Sequence, residues 1–181
     1  MRLIEKCVKE NSVFQGNILH VRNDDVLDGG GKPCTREHIV HPGGACALYV
    51  KEGKVALVQQ YRYVYGEVVT EIPAGKLEKG EDTKLAALRE LREETGIVAK
   101  PEDAELLFVM YPTPGYTNEK IYIYYVKKGE QAASCLDEGE YLDVLYMPLD
   151  EARKALENGE FHDAKTIMAL QAYFLKTNKG I

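Results

Sequence analysis

One segment, residues 75–97, constrains the fold more than any other part of the chain: a polar loop followed by an amphipathic helix. The spacing of apolar residues predicts a helix at residues 82–95 that ends at Gly96, because glycine commonly caps helix C-termini. Three leucines recur on one side of this helix and are expected to face the core: Leu85, Leu88 and Leu91. Such a helix must bury its apolar side against another layer.

The rest of the chain alternates between short runs of β-forming residues and two further helical stretches. Strands are predicted at residues 13–21, 36–41, 45–50, 55–62, 68–72, 106–110, 120–127 and 141–147. Helices are predicted at residues 148–158 and 164–177. A mixed sheet flanked by helices, an α/β/α sandwich, would bury these elements. We therefore predict an α/β fold, with a small N-terminal β segment at 1–42 and the main domain at 43–181.

The composition limits the partners and the compartment. The chain has 181 residues and a formal net charge of −6, and an acidic surface disfavours binding to a nucleic-acid backbone. No apolar run approaches the length of a membrane span, and the N-terminus lacks the apolar stretch of a signal peptide. The four cysteines lack metal-ligand spacing and are expected to be reduced structural thiols. We expect a cytoplasmic protein without a nucleic-acid or membrane partner.

Three glutamates of the predicted helix, Glu90, Glu93 and Glu94, lie within about a 100° arc away from the leucines. Ionised carboxylates this close repel one another, and the C-terminal half of a helix disfavours anions. Two interpretations are open. The first is a solvated acidic face that Arg89 and Arg92 relieve. The second is a site for hard divalent cations, which prefer oxygen ligands and would supply the positive charge that a polyphosphate needs.

The loop before the helix favours the cation site. From residue 75 to residue 97 the chain reads GKLEKGEDTKLAALRELREETGI. This segment resembles the Nudix box, G-x5-E-x7-R-E-U-x-E-E-x-G-U with U aliphatic, at every specified position. The matching residues are Gly75, Glu81, Arg89, Glu90, Leu91, Glu93, Glu94, Gly96 and Ile97.

The resemblance to the Nudix family implies a Nudix fold and metal-dependent hydrolysis of a pyrophosphate bond. It implies that Glu90 and Glu94 are the main ligands of Mg²⁺, with Mn²⁺ as an alternative. Glu93 and the carbonyl of Ala74 are expected to assist. The residues expected to organise the loop and the helix are Gly75, Glu81, Arg89 and Gly96. Gly75 is also expected to use backbone angles that other residues avoid, which would expose nearby carbonyls.

Segments outside the box resemble the ADP-ribose pyrophosphatase group of that family. They are Arg-Glu at 36–37, Gln-Gln-Tyr-Arg-Tyr at 59–63, Glu-Ile-Pro-Ala-Gly at 71–75 and Tyr-Pro-Thr-Pro-Gly-Tyr-Thr-Asn-Glu at 111–119. The resemblance implies hydrolysis of ADP-ribose to AMP and ribose 5-phosphate. Arg62 is then expected to bind a phosphate, Arg36 to stack on adenine or pair with phosphate, and Glu119 to accept hydrogen bonds from a ribose.

The N-terminal segment carries two further expectations from the same resemblance. Similar enzymes use their first strands to pair two subunits, so we expect a homodimer in which Arg36 acts across the interface. Relatives often place a base-stacking aromatic residue after the glycine of the first long strand. Here Asn17 follows Gly16, and the alternatives for stacking on the base are Phe14 and Tyr63.

A general base is expected in the loop at residues 136–140, because similar enzymes place a glutamate before the last strand of the sheet. Glu140 aligns best by its spacing to that strand, Glu138 is the second candidate, and Glu93 takes the proton if neither does. Other substrates are also considered, namely GDP-mannose, related nucleotide sugars and dinucleoside polyphosphates. A Nudix-fold ligand sensor that does not hydrolyse is a more distant alternative, because the box is intact and the chain is acidic.

Overall fold

The computed structural model describes residues 3–136, 139 and 141–177. The chain forms two compact units. One comprises Met1–Gly43 with Tyr111–Lys120, and the other comprises Gly44–Met110 with Ile121–Ile181. Among the described residues, no helix has both the length and the apolar character that crossing a membrane requires.

The first unit contains an antiparallel sheet of four strands. Its strands are β1 (Lys6–Lys9), β2 (Ser12–Gln15), β3 (His20–Leu27) and β4 (Pro33–Val40). The long strand β3 pairs with the other three. The prediction of one strand at residues 13–21 is wrong, because the chain turns between β2 and β3. In that turn the Gly16 amide donates a hydrogen bond to the Leu19 carbonyl at 2.8 Å.

A mixed sheet with helices on both faces forms the second unit. Its strands are β5 (Gly44–Lys51), β6 (Lys54–Arg62), β7 (Glu67–Glu71), β8 (Ala74–Lys76), β10 (Ala104–Met110), β11 (Ile121–Val126) and β13 (Leu142–Pro148). Strands β9 (Ile97–Val98) and β12 (Glu130–Gln131) pair with each other in a separate two-stranded sheet. The helices are α1 (Thr83–Thr95), α2 (Leu149–Glu157) and α3 (Ala164–Thr177). The main sheet has the order β10-β11-β5-β6-β13, with β7 paired to β6 and β8 paired to β5. Strands β11 and β5 run parallel, which makes the sheet mixed.

Strand β5 separates the two apolar layers of this unit. Even-numbered residues from Cys46 to Val50 enter the core shared with α2 and α3. Odd-numbered residues from Ala45 to Tyr49 enter the core shared with α1. Side chains of an extended strand alternate between its faces, so both faces of β5 are covered. The predicted α/β/α sandwich with a mixed sheet is confirmed.

Helix α1 buries Leu88 and Leu91 as predicted, but it leaves Leu85 exposed. Asp82 caps its start by accepting hydrogen bonds from the Lys84 and Leu85 amides, each at 3.0 Å. Leu85 is 52% exposed, so the prediction that it faces the core is wrong. The buried residues of the helix are Ala86, Ala87, Leu88, Leu91, Glu94 and Thr95. The small alanines of the helix pack against the alanines of β5, and this packing turns Glu94 towards the sheet.

Candidate active site

Glu94 ties helix α1 to the short strand β8. The residue is only 7% exposed, and its Oε2 accepts a hydrogen bond from the Ala74 amide at 3.0 Å. Ala74 in turn pairs with Cys46 on β5. The structure therefore brings the predicted metal ligands Glu94 and Ala74 together at one corner of the sheet.

Gly75 is needed for a close approach. Its φ is not positive, so the expectation of backbone angles that other residues avoid is wrong. A Cβ at this position would lie 1.9 Å from Oε1 and 2.0 Å from Cδ of Glu90. The Glu90 carboxylate therefore occupies the space that a side chain at position 75 would fill. Glu90 and Glu94 thus both reach the backbone at residues 74–75.

Arg89 connects the carboxylates of the loop and the helix. Its guanidinium forms a fork with Glu81 at 2.9 and 3.1 Å. Its NH1 group donates to Glu90 at 2.7 Å and to Glu93 at 2.9 Å. The hydrogen bond from Arg89 holds the pKa of Glu81 below its ordinary value, and the same bond raises the pKa of Arg89. One cation therefore relieves much of the repulsion among these carboxylates.

The box glutamates supply oxygen donors of the kind that a hard divalent cation prefers, and in this structure protein partners hold these carboxylates. In the described part of the chain, no group of three or more His, Cys, Asp or Glu side chains is arranged to hold a metal ion. Glu90 and Glu93 instead share the Arg89 guanidinium. Carboxylate oxygens are nevertheless the ligands that Mg²⁺ prefers, and the Glu90 carboxylate lies where a Cβ at Gly75 would clash. Cation binding would exchange guanidinium contacts for metal contacts.

Sequence reasoning missed two charged residues of this unit, Glu71 and Lys165. Arg62, the predicted phosphate ligand, forms a fork with Glu71 at 2.6 and 2.7 Å. Lys165 donates to the same carboxylate and to Asp163 at 2.8 Å. The sequence offers two signals for these residues. Glu71 ends an apolar strand, and Lys165 lies in the first turn of an apolar helix. A buried charge is costly without a partner, but the sequence does not say which residue pairs with which.

Arg36 and Glu119 lie in the first unit, and each has a charged or titratable partner there. Arg36 forms a fork with Glu5, in which Nε donates to Oε2 at 2.9 Å. The carboxylate of Glu119 lies 3.5 Å from Nδ1 of His41. The neighbouring Asn118 side chain accepts a hydrogen bond from the His41 amide at 2.7 Å. These contacts hold Glu119, the residue predicted to bind a ribose, next to His41, which follows β4.

The predicted general-base candidates, Glu138 and Glu140, lie outside the described residues. The segment that precedes them contacts the acidic end of helix α1. The Cys135 amide donates to the carbonyl of Glu93 at 3.0 Å. This bond satisfies one of the carbonyls that a helix C-terminus leaves without an intrahelical partner.

Gly96 lets the same segment approach the end of the helix. Its φ of 75° suits glycine, and a Cβ there would lie 2.3 Å from the Ala132 carbonyl oxygen. The Ala132 amide donates to the Gly96 carbonyl at 2.7 Å. The Gln131 side chain donates to the Thr95 carbonyl at 2.9 Å. These contacts hold residues 131–135 against the end of the helix that carries the glutamates.

The aromatic candidates for base stacking are exposed. Phe14 is 55% exposed and Tyr63 is 89% exposed. A separate open cavity of about 320 Å³ lies in the second unit. Its lining residues are Gln59, Tyr61, Val68, Leu136, Tyr141, Leu142 and Asp143. The cavity presents aromatic and polar side chains, and the box glutamates of α1 are not among these lining residues.

Comparisons with known proteins agree with the fold and the box. A model of the NUDIX domain family matches residues 40–170. A methanol dehydrogenase activator from Bacillus methanolicus is 40% identical over 92% of this chain and 91% of its own length. An ADP-ribose pyrophosphatase from Bacillus subtilis (strain 168) is 38% identical over 96% of this chain and 95% of its own length. The crystal structure of an ADP compounds hydrolase has a TM-score of 0.83 at 22% identity and covers 98% of this chain and 97% of that chain.

These matches establish the family. The family model spans most of the chain, and both relatives align over nearly their whole length. The chain therefore belongs to the Nudix family, and the predicted enzyme class, a Nudix hydrolase, is confirmed. The solved structure confirms the predicted Nudix fold.

Replacing Gly75 by alanine tests whether the site depends on the close approach of Glu90. Alanine fits the backbone there, so the flexible Glu90 side chain must move instead. We expect Gly75→Ala to change the free energy of unfolding by about 1 kcal/mol or less, and to lower turnover by roughly 100-fold. The control Gly115→Ala, whose Cβ would meet nothing within 4 Å, should preserve both. Near-normal turnover in Gly75→Ala would contradict this arrangement.

Proposed function

We propose that this protein hydrolyses the pyrophosphate bond of ADP-ribose, giving AMP and ribose 5-phosphate, with the help of divalent cations. The observation that carries the proposal is the approach of Glu90 and Glu94 to the backbone at residues 74–75. The choice of substrate is supported by the relative named ADP-ribose pyrophosphatase and by the similar segments outside the box.

The residues that would hold Mg²⁺, with Mn²⁺ as an alternative, are Glu90, Glu93, Glu94 and the carbonyl of Ala74. Bound cations of this kind neutralise a diphosphate, orient a water molecule and stabilise the leaving oxygen. Arg89 holds the glutamates together in the absence of cations, and Glu81 fixes Arg89 through its fork. Gly75 leaves the Glu90 carboxylate in place.

Three residues are proposed to bind the substrate itself. Arg62 presents a partly exposed guanidinium to a phosphate of the substrate, because a planar guanidinium matches two oxygens at once. Arg36 would exchange its exposed partner Glu5 for adenine or phosphate. Glu119 would accept hydrogen bonds from a ribose. A surface ion pair such as that of Arg36 is weak, so its replacement by substrate costs little.

Other nucleoside diphosphate derivatives form the second candidate class. GDP-mannose, related nucleotide sugars and dinucleoside polyphosphates contain the same phosphoanhydride bond, and the box residues act on that bond alone. The 40% identical relative is named for an effect on a dehydrogenase. We therefore include NADH, a dehydrogenase cofactor with a pyrophosphate bond, among the compounds to be compared.

Purified protein with Mg²⁺ should convert ADP-ribose to AMP and ribose 5-phosphate faster than it acts on GDP-mannose, ADP-glucose, NADH or diadenosine polyphosphates. Excess EDTA should abolish turnover, and an excess of Mg²⁺ should restore it. Chromatography of the products checks both expectations. Full activity in EDTA would rule out the cation role, and a preference for a nucleoside triphosphate would rule out the substrate.

We propose Glu140 as the general base, with Glu138 as the second candidate. Cations bound by the α1 glutamates would lower the basicity of those glutamates. A carboxylate outside the cluster is therefore better suited to accept the proton of the attacking water. The contact between Cys135 and Glu93 supports this choice, because it starts the loop at the acidic end of α1.

Glu140→Gln should lower kcat by about 100-fold or more and leave KM nearly unchanged, because it removes proton transfer and not binding. Glu138→Gln is the matched control from the same loop. A large effect of Glu138→Gln alone would place the base two residues earlier. Normal kcat in both variants would assign the proton to Glu93.

We also propose a cytoplasmic homodimer that forms through the first unit. Strands β1 and β2 expose apolar side chains, since Val8, Val13 and Phe14 are 62%, 65% and 55% exposed. An interface between two copies of the chain would cover these exposed side chains. Light scattering at micromolar concentration should give twice the chain mass of 20.3 kDa. A fully active monomer would contradict the dimer and the role of Arg36 across its interface.

A further inference from the structure

A cluster of four charged residues around the buried Glu71 links helix α3 to strands β6 and β7. Glu71 is only 3% exposed and lies between two cations, Arg62 and Lys165. Lys165 also donates to Asp163 at 2.8 Å. The cluster contains two cations and two anions, which is the balance that buried charges require.

The cluster is fastened to the backbone just before β8. Asp163 accepts hydrogen bonds from the amide and the hydroxyl of Thr166. The Thr166 hydroxyl oxygen in turn accepts the Ile72 amide at 2.8 Å. Thr166 is completely buried, so the geometry of this end of α3 is set by packing as well as by charge. Lys165 is therefore held in a defined position relative to Glu71.

The fork with Glu71 leaves the other side of the Arg62 guanidinium available. Glu71 takes Nε at 2.6 Å and NH2 at 2.7 Å. Among the described residues, no other acceptor is hydrogen-bonded to this guanidinium. The Arg62 side chain is 40% exposed, whereas that of Glu71 is 4% exposed. A guanidinium is planar, so a carboxylate on one edge fixes the direction in which the opposite edge points.

We infer that Glu71 and Lys165 are positioning residues for substrate binding: Glu71 orients Arg62, and Lys165 holds Glu71. The inference rests on the proposed function, in which Arg62 binds a phosphate of the substrate. Glu71 pairs with two cations, so it cannot move with Arg62 without losing its contact with Lys165. Lys165 lies on α3, which holds it in place. Arg62 alone would be a flexible surface side chain.

Three variants test the two contacts without relying on turnover. Glu71→Asp keeps the charge and withdraws the carboxylate, Lys165→Met removes the second cation, and Arg62→Ala removes the phosphate ligand. Binding of a methylene-bridged analogue of ADP-ribose, which cannot be hydrolysed at the bridge, is measured by calorimetry with Mg²⁺. We expect each variant to weaken binding by about 10-fold, as for loss of a charge-assisted hydrogen bond. Lys165→Arg should restore binding to within about threefold of wild type.

Two comparisons separate positioning from charge and from general destabilisation. Glu71→Gln removes a negative charge, which alone would strengthen binding of an anion, so weaker binding identifies positioning. In a protein that already carries Arg62→Ala, adding Glu71→Asp should weaken binding of the analogue by less than about a further twofold, because Glu71 acts through Arg62. Glu105→Gln is the control, since Glu105 also pairs with two lysines but is exposed. Steady-state kinetics with ADP-ribose should show a raised KM and a nearly unchanged kcat.

The inference is overturned if Glu71→Asp and Lys165→Met bind the analogue like wild type while Arg62→Ala binds it weakly. It is also overturned if the Glu71→Asp loss persists in full on the Arg62→Ala background. Both results leave the proposed function intact. If wild type neither binds the analogue nor hydrolyses ADP-ribose, the proposed function fails and the inference fails with it.

Discussion

The hydrogen bond between the Glu94 carboxylate and the Ala74 amide is the contact on which the site depends. A carboxylate with 7% exposure would be destabilising without a donor, and the start of β8 supplies one. The contact is possible because alanines of α1 pack against alanines of β5. The same close packing brings Glu90 against Gly75, where any side chain would displace it. The close packing of α1 against β5 therefore determines both the position of the helix and the shape of the site.

Two arginines organise the negative charge of the second unit in different ways. Arg89 forks with Glu81 and uses its NH1 group to hold two more glutamates, so it neutralises an acidic cluster. Arg62 forks with the buried Glu71 and keeps its other edge towards solvent. The first arrangement keeps carboxylates together, and the second presents a fixed cation. In the proposed function, the first arrangement supplies the ligands of the cations and the second binds a phosphate of the substrate.

The sequence predicted the elements of the second unit well because their signals are local. Asp82 and Gly96 mark the ends of α1, and a continuous apolar run marks β5, which is buried on both faces. The side of α1 that is buried was predicted wrongly for Leu85, because periodicity does not reveal that the opposing strand carries alanines. The partners Glu71 and Lys165 lie 94 positions apart, and no local pattern encodes such a contact. The backbone angle expected for Gly75 is wrong, and the structure shows instead that the Glu90 carboxylate lies against this glycine.

Binding of Mn²⁺ to the metal-free protein tests the central claim most directly, because it does not depend on the substrate. Titration followed by electron paramagnetic resonance should show saturable binding to wild type. Glu94→Gln keeps the hydrogen bond to Ala74 but removes a charged ligand, so it should weaken binding by about 10-fold or more. The exposed control Glu105→Gln should bind like wild type. Equal affinity in Glu94→Gln and wild type would contradict a cation site on helix α1.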